Sequence, residues 1–413
     1  MRRRPAVPLG RVAVVTDSTA TLPPALARAA GVRVVSLDVV VGGRRTLDGD
    51  LDGADLLAAL ERGERPVTSQ PPPAAFAAAY ERAAAEGASA VVSVHLSGAL
   101  SGTVAAARTA AVGAAVPVVV VDSGTVAMGL GFAALAAARA GADVVQPAPW
   151  WRRWREAVPG RAVGETPGGV PDVAEVAATA QAVAASSSVW FLVDSLDYLR
   201  RGGRLSGTAA LLGTILQLRP LLTVADGRLA VAEKVRTRRT ARARLVQLAV
   251  ESVLARPQAR LAVQHLDNLE AADEMVGQIV AATGDRVVET VVTEAGAVLA
   301  AHVGPGALAV TVADAETPAG LDRDALGVDR SALGVDRSAL GTDRSALGMD
   351  RSALAPRPSR RDPSPAPRSA VPRHAIRTTA PTQWRWFSGV SDARADEPSP
   401  APHDDGPAPG PAG

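Results

Sequence analysis

The stretch "VHLSGALSGTV", residues 94–104, sets serines, a threonine and glycines where an apolar run stops. Such a loop can carry a nucleophilic serine, cradle a phosphate or hold some other anion. A nucleotide-triphosphate loop needs a lysine that reaches the phosphates, and "SGALSGT" has none. The strand-to-helix elbow of the α/β-hydrolases needs serine at the centre of G-x-S-x-G; in "GALSG" it is fourth. A serine nucleophile also needs a base within hydrogen-bond reach. Of five histidines, His374 and His403 lie in the C-terminal tail, leaving His95, His265 and His302 without an acid partner in a recognisable order. A serine hydrolase built on Ser97 or Ser101 with His95 therefore stays open only as the alternative.

Metal and redox chemistry find less support. There is no cysteine, and no H-x-x-x-H or H-E-x-x-H spacing. "MGLGFAA" contains G-x-G-x-x-A (Gly129, Gly131, Ala134), but "DSGTVAM" separates it from the apolar run "VPVVVV". A dinucleotide fingerprint follows its strand at once. No cofactor is expected. What remains is a set of hydroxyl-rich segments in chain order: "TDSTATLP", "TSQPPP", "HLSGALSGT" and "DSGT". Singly, each reads as a helix cap or turn. Gathered at the carboxyl edge of one open sheet, they would suit a single anionic head, held rather than transformed.

The elements around these segments supply such an edge. "VAVV", "VRVVSLDVVV", "AVVSV" and "VPVVVV" are continuous apolar runs, as in strands covered on both faces. Alanine-rich helical stretches lie between them, with Pro23 and Pro73 near helix starts. This β-α rhythm over residues 11–142 predicts an N-terminal α/β domain with a mostly parallel sheet. Residues 143–172 break it with a Pro-, Gly- and Arg-rich insertion carrying Trp150, Trp151 and Trp154. Residues 173–312 form a second α/β unit, for which a mixed sheet fits best. It includes "RPLLTVADGRLAVAEK", two strands joined by Asp226-Gly227, a strong hairpin signal.

The tail, 313–413, is predicted to be disordered. A seven-residue unit, "DRSALGV" and its variants, recurs over 322–355, and 13 of the last 58 residues are proline, which leaves no core to pack. Aromatics are only 3% of a chain that is 47% hydrophobic, so its cores must be built of Ala, Val and Leu. The formal charge of +2 gives no ground for nucleic-acid binding. No signal-peptide pattern and no apolar run of ~18 residues is found, so the expectation is a cytoplasmic protein without a membrane span.

Taken in order, "VAVVTDSTATLP", "LDGDLDGADL", "TSQP", "LSGALSGT", "DSGTVAMGLG", "LDYLRRGGRLSG", "LLGTILQLRPLLTVADGRLAVAEKVRTRRTA" and "AHVGPGALAV" resemble the DegV family over residues 11–312. The resemblance implies a two-domain α/β protein that binds one long-chain fatty acid. It is similar to the acyl-carrier subunit of bacterial fatty acid kinase, which does no catalysis itself. Its partner, the ATP-binding kinase subunit, makes the acyl-phosphate. Carried over by motif, Thr68 and Ser97 would hydrogen-bond the carboxylate, while Arg204 and His302 would face the head group or the partner. Ser69 stands beside Thr68; Gly98, Ser101, Gly102 and Thr103 surround Ser97; Asp122 and Ser123 belong to a neighbouring loop. Two positions depart from the family pattern: Gly98 and Pro72 stand where serine is usual.

Overall fold

A computed structural model describes residues 11–51, 53–142, 172–205 and 219–315. The repeats, the predicted tail from residue 316 on, and all of the insertion but Asp172 lie outside the described residues. The first residues assigned to the tail are instead ordered, because β13 runs to Asp314 and buries Ala313 in the core. The chain is α/β. Its parallel sheet has the strand order β2 (Val32–Val35), β1 (Arg11–Asp17), β6 (Ala88–His95), β7 (Val118–Asp122). A mixed sheet follows the order β10 (Arg228–Val235), β9 (Arg219–Ala225), β8 (Ser188–Leu192), β13 (Leu308–Asp314), β11 (Ala259–His265), β12 (Val287–Glu294). Only its β11–β12 pair is parallel.

One apolar run does not form the single strand its composition suggests. "VRVVSLDVVV" breaks at Ser36-Leu37: β2 stays in the parallel sheet, and β3 (Asp38–Val41) leaves it. There β3 pairs antiparallel with β4 (Arg44–Leu47) and β5 (Val67–Ser69). The break has a cause in hydrogen bonding. The Leu37 N–H donates to Ser18 Oγ at 3.1 Å, and its carbonyl accepts from Asp48 N–H at 2.9 Å. Both of its backbone groups are thus used outside either ladder.

The layers follow from strand alternation. On β1, Ala13 and Val15 face a core with α3 (Pro73–Ala85) and α4 (Thr103–Ala111). Val12 and Val14 face the opposite core, with α5 (Met128–Ala142) and α6 (Val173–Ser186). That second core also takes Ala262, Val291 and Ala313 from the mixed sheet, so α5 and α6 lie between the two sheets. In α5, 12 of 15 residues are buried, as a helix apolar all round requires. The glycines of its G-x-G-x-x-A serve this packing: a Cβ on Gly131 would sit 2.8 Å from the Ala20 carbonyl oxygen. The far face of the mixed sheet is covered by α8 (Arg238–Leu254) and α9 (Leu269–Thr283).

The predicted hairpin is present. Asp226 and Gly227 both have positive φ, 48° and 72°, as the tight two-residue turn between β9 and β10 demands. Shorter helices include α1 (Pro24–Ala29), α2 (Gly53–Glu61) and α7 (Asp197–Arg201). The last described helix, α10 (Ala297–Val303), packs with α2 and β3.

Candidate functional site

Three loops at the carboxyl ends of parallel strands are stitched together by their own backbone. Ser97 N–H donates to Thr125 O at 2.8 Å, and Ser123 N–H to His95 O at 3.0 Å. Leu96 N–H donates to the Asp17 carboxylate at 3.0 Å. Most hydroxyls in these loops are spent locally, as caps and turns. Ser101 Oγ pairs with Thr103 Oγ1 at 2.8 Å and accepts from Thr103 N–H, opening α4. Ser123 Oγ closes its own turn with Thr125, and Thr19 binds back to Asp17. Asp122 accepts N–H bonds from Gly98 and Gly124, both near 3 Å. That explains the glycine: a Cβ on residue 98 would lie 2.6 Å from Asp122 Oδ2.

"TSQPPP" reaches this edge from a different sheet. Its strand is β5 of the antiparallel sheet, not one of the parallel set expected to carry all four segments. It nonetheless lies against the α4 loop, because the Gln70 side chain fills the space beside Gly102 where a Cβ would stand.

A cavity of about 370 Å³ opens between these loops, α10 and the mixed sheet. Its wall is mostly apolar, with Leu96, Leu100, Phe191, Leu229, Leu299 and Val303 among the side chains that line it. Thr68, Ser69, Ser101, Gly102, Arg204 and His302 line it as well, so one space collects six of the residues singled out from sequence. Thr68 Oγ1 and His302 Nε2 share a 2.9 Å hydrogen bond across 234 residues of chain. Burial, helped by the nearby Arg204 charge, pushes the His302 pKa down to about 4, so the imidazole is neutral at neutral pH. Arg204 is exposed, donates to the carbonyls of Leu100 and Gly202, and has no ion pair among the described residues.

Ser97 is placed differently from Thr68. It is buried, it does not line the cavity, and its hydroxyl donates to Gly227 O at 2.7 Å. Gly98, Thr103, Asp122 and Ser123 do not line the cavity either, and Gly98 is exposed. The hydrolase arrangement is absent: both ring nitrogens of His95 are engaged elsewhere, by Ser93 Oγ at 2.7 Å and Asp17 Oδ2 at 3.0 Å. Ser93, His95 and Asp17 do follow the order of a catalytic triad, yet all three are 0% exposed, with Tyr80 closing the chain at 2.9 Å from Ser93.

Two positioning acids escape the reading by motif. Asp17 ties the first and third loops. Asp48 accepts from Val298 N–H at 2.9 Å and so fixes the start of the helix that carries His302. Burial raises the Asp48 pKa, against the lowering effect of its bonds to Ser18 and the α10 backbone. Asp48 lies in "LDGDLDGADL", but its contact spans 250 residues, and no local signal announces it. Among the described residues, no group of His, Asp or Glu could hold a metal ion. No described helix is long and apolar enough to cross a membrane.

The family model described as "Uncharacterised protein, DegV family" matches residues 11–148 and 168–315. A DegV domain-containing protein of Streptomyces coelicolor is 42% identical over 305 residues, 73% of this chain and 98% of that protein. One from Mycobacterium tuberculosis is 37% identical over 306 residues, 73% of this chain and 96% of its own. Among solved structures, a DegV family protein from Thermus thermophilus, described by its fatty acid binding, shares 32% identity at a TM-score of 0.60. That match covers 74% of this chain and 99% of the other. DegV of Bacillus subtilis, described as a fatty acid binding protein, shares 28% identity at a TM-score of 0.62, with the same coverage.

Proposed function

The chain belongs to the DegV family, and from that premise we propose that it binds one long-chain fatty acid and presents its carboxylate to a separate kinase. The observation that carries this reading is the cavity itself: an apolar wall with Thr68, His302 and Arg204 gathered on it. Its volume lies within the range of small-molecule sites, which are mostly apolar with a few convergent polar groups.

The chemistry suits a carrier. Thr68 offers a hydroxyl and His302 a neutral ring, so the carboxylate is held by hydrogen bonds rather than by a buried ion pair. Arg204, exposed at the mouth, supplies long-range attraction for the anion. Ser97 joins as the second hydroxyl by turning away from the Gly227 carbonyl. A carboxylate held this way keeps one oxygen able to attack the terminal phosphorus of ATP on the partner subunit, with ADP as the leaving group and an acyl-phosphate as the product. The protein itself supplies no base, metal or cofactor to that step and works in the cytoplasm.

The test is mass spectrometry of lipid extracted from the purified protein, together with thermal melting in added oleate. Stoichiometric fatty acid and a melting temperature that rises with oleate concentration are expected, since a ligand that binds only the folded state stabilises it. Absence of both rejects the reading.

A further inference from the structure

The cavity wall contains a polar group that holding a carboxylate does not use. On β11, Ala262 faces the α5–α6 core and Val263 the α8–α9 core, so Gln264 returns to the α5–α6 side. There it lines the cavity while only 2% exposed. Its side chain meets Thr311 Oγ1, at 3.4 Å from Oε1 and 3.5 Å from Nε2. Both contacts are long beside the usual ~2.7–3.0 Å. A hydroxyl between the two ends of an amide satisfies at best one of them well, whereas a glutamine offers two N–H donors and a carbonyl. Among the described residues the amide is therefore left with one N–H without a partner and only long contacts at its other polar atoms, a state that buried polar groups rarely keep.

Gln264 also lies away from the head group. Ala295 N–H donates to the carbonyl of His265, the next residue, at 2.7 Å, which fixes the start of α10 beside this end of β11. His302 lies on the last turn of the same helix. Between Ala297 and His302 the helix rises on the order of 8 Å. The backbone beside Gln264 thus meets the start of α10, whereas His302 lies at its other end.

Resting on the fatty-acid reading, we propose that the acyl chain taken by this cavity carries a second oxygen, a hydroxyl or oxo group, received by the Gln264 amide. An unsubstituted chain would leave the amide against methylenes. A hydroxyl at the right carbon accepts from Nε2 or donates to Oε1. Specificity of this kind arises because a site built to hydrogen-bond a group discriminates against the analogue lacking it.

The experiment uses the full chain, stripped of lipid, with stearate and a series of monohydroxystearates whose hydroxyl moves stepwise along the chain. Competition binding is measured for the wild type and for Gln264→Leu. One positional isomer is expected to bind the wild type about tenfold tighter than its neighbours in the series, the worth of one net hydrogen bond. Gln264→Leu is expected to lose that peak while keeping its affinity for stearate. A flat series in the wild type overturns the inference whatever the variant does. So does a peak that survives in Gln264→Leu. If the wild type binds neither stearate nor any isomer, the fatty-acid reading fails first and this inference fails with it.

Discussion

His302 and His95 each hold a hydroxyl: Thr68 at 2.9 Å and Ser93 at 2.7 Å. Chemically the two pairs are alike, and the His95 pair has more of a catalyst's outline because Asp17 stands behind it. Their surroundings reverse that impression. Ser93, His95 and Asp17 are sealed beneath the strand ends at 0% exposure. Tyr80 is hydrogen-bonded into the same cluster, its phenol pushed up to about 12, mainly by burial. Thr68 and His302 face a cavity with an apolar wall and an arginine that forms no ion pair among the described residues. Residue type and hydrogen-bond geometry do not separate the two pairs; access does.

The comparison can be broken at the sealed pair first. Asp17, itself fully buried, accepts from Thr19, from the Leu96 N–H and from His95. Asp17→Ala leaves these groups buried and unpaired and is expected to cost about 3–5 kcal/mol, read from urea unfolding. A loss below about 1 kcal/mol would mean the network does not hold the loops.

The open pair should declare itself through pH. The His302 pKa is depressed in the folded state, from 6.5 to about 4. As pH falls below 6.5 the unfolded chain takes up this proton first. Stability present at neutral pH is therefore lost between about pH 6.5 and 4, by up to about 3 kcal/mol. His302→Gln is expected to flatten that part of the stability curve; His265, also depressed by burial, leaves a residual slope of the same sign. An unchanged curve in the variant assigns the acid sensitivity elsewhere.

A paired substitution sharpens the contrast further. Thr68→Val should weaken fatty acid binding about tenfold. Ser93→Ala should leave binding intact and lower stability by about 1–2 kcal/mol. If both variants lose affinity equally, the two pairs do not differ in the way proposed. The smallest effect is expected at Ser97→Ala. Loss of its bond to Gly227 O costs about 1 kcal/mol, and a further drop in oleate affinity would mark the turn of this hydroxyl toward the ligand.

How much is legible in the chain can be judged residue by residue. Pro73 at the start of α3 and the Asp226-Gly227 turn are local consequences of sterics, and they stand where the chain predicts them. The break in "VRVVSLDVVV" is not legible. Composition alone cannot tell one long strand from two when the decisive bonds come from Ser18 and Asp48. The site divides along the same line. That Thr68 and His302 are candidates follows from their motifs; that they touch follows from a fold which closes 234 residues of chain. Ser97 has the type and motif of a ligand residue, yet its hydroxyl turns to the β9–β10 hairpin.

By itself, then, the sequence determined the α/β class, the alanine- and valine-rich layers and the set of small polar residues at strand ends, because these depend on propensity and patterning within a few residues. Only the tertiary structure decided which hydroxyls are caps, which histidine is sealed, and that Gln264 joins the cavity wall. Those outcomes depend on which distant backbone groups reach each side chain and on which faces water can no longer reach.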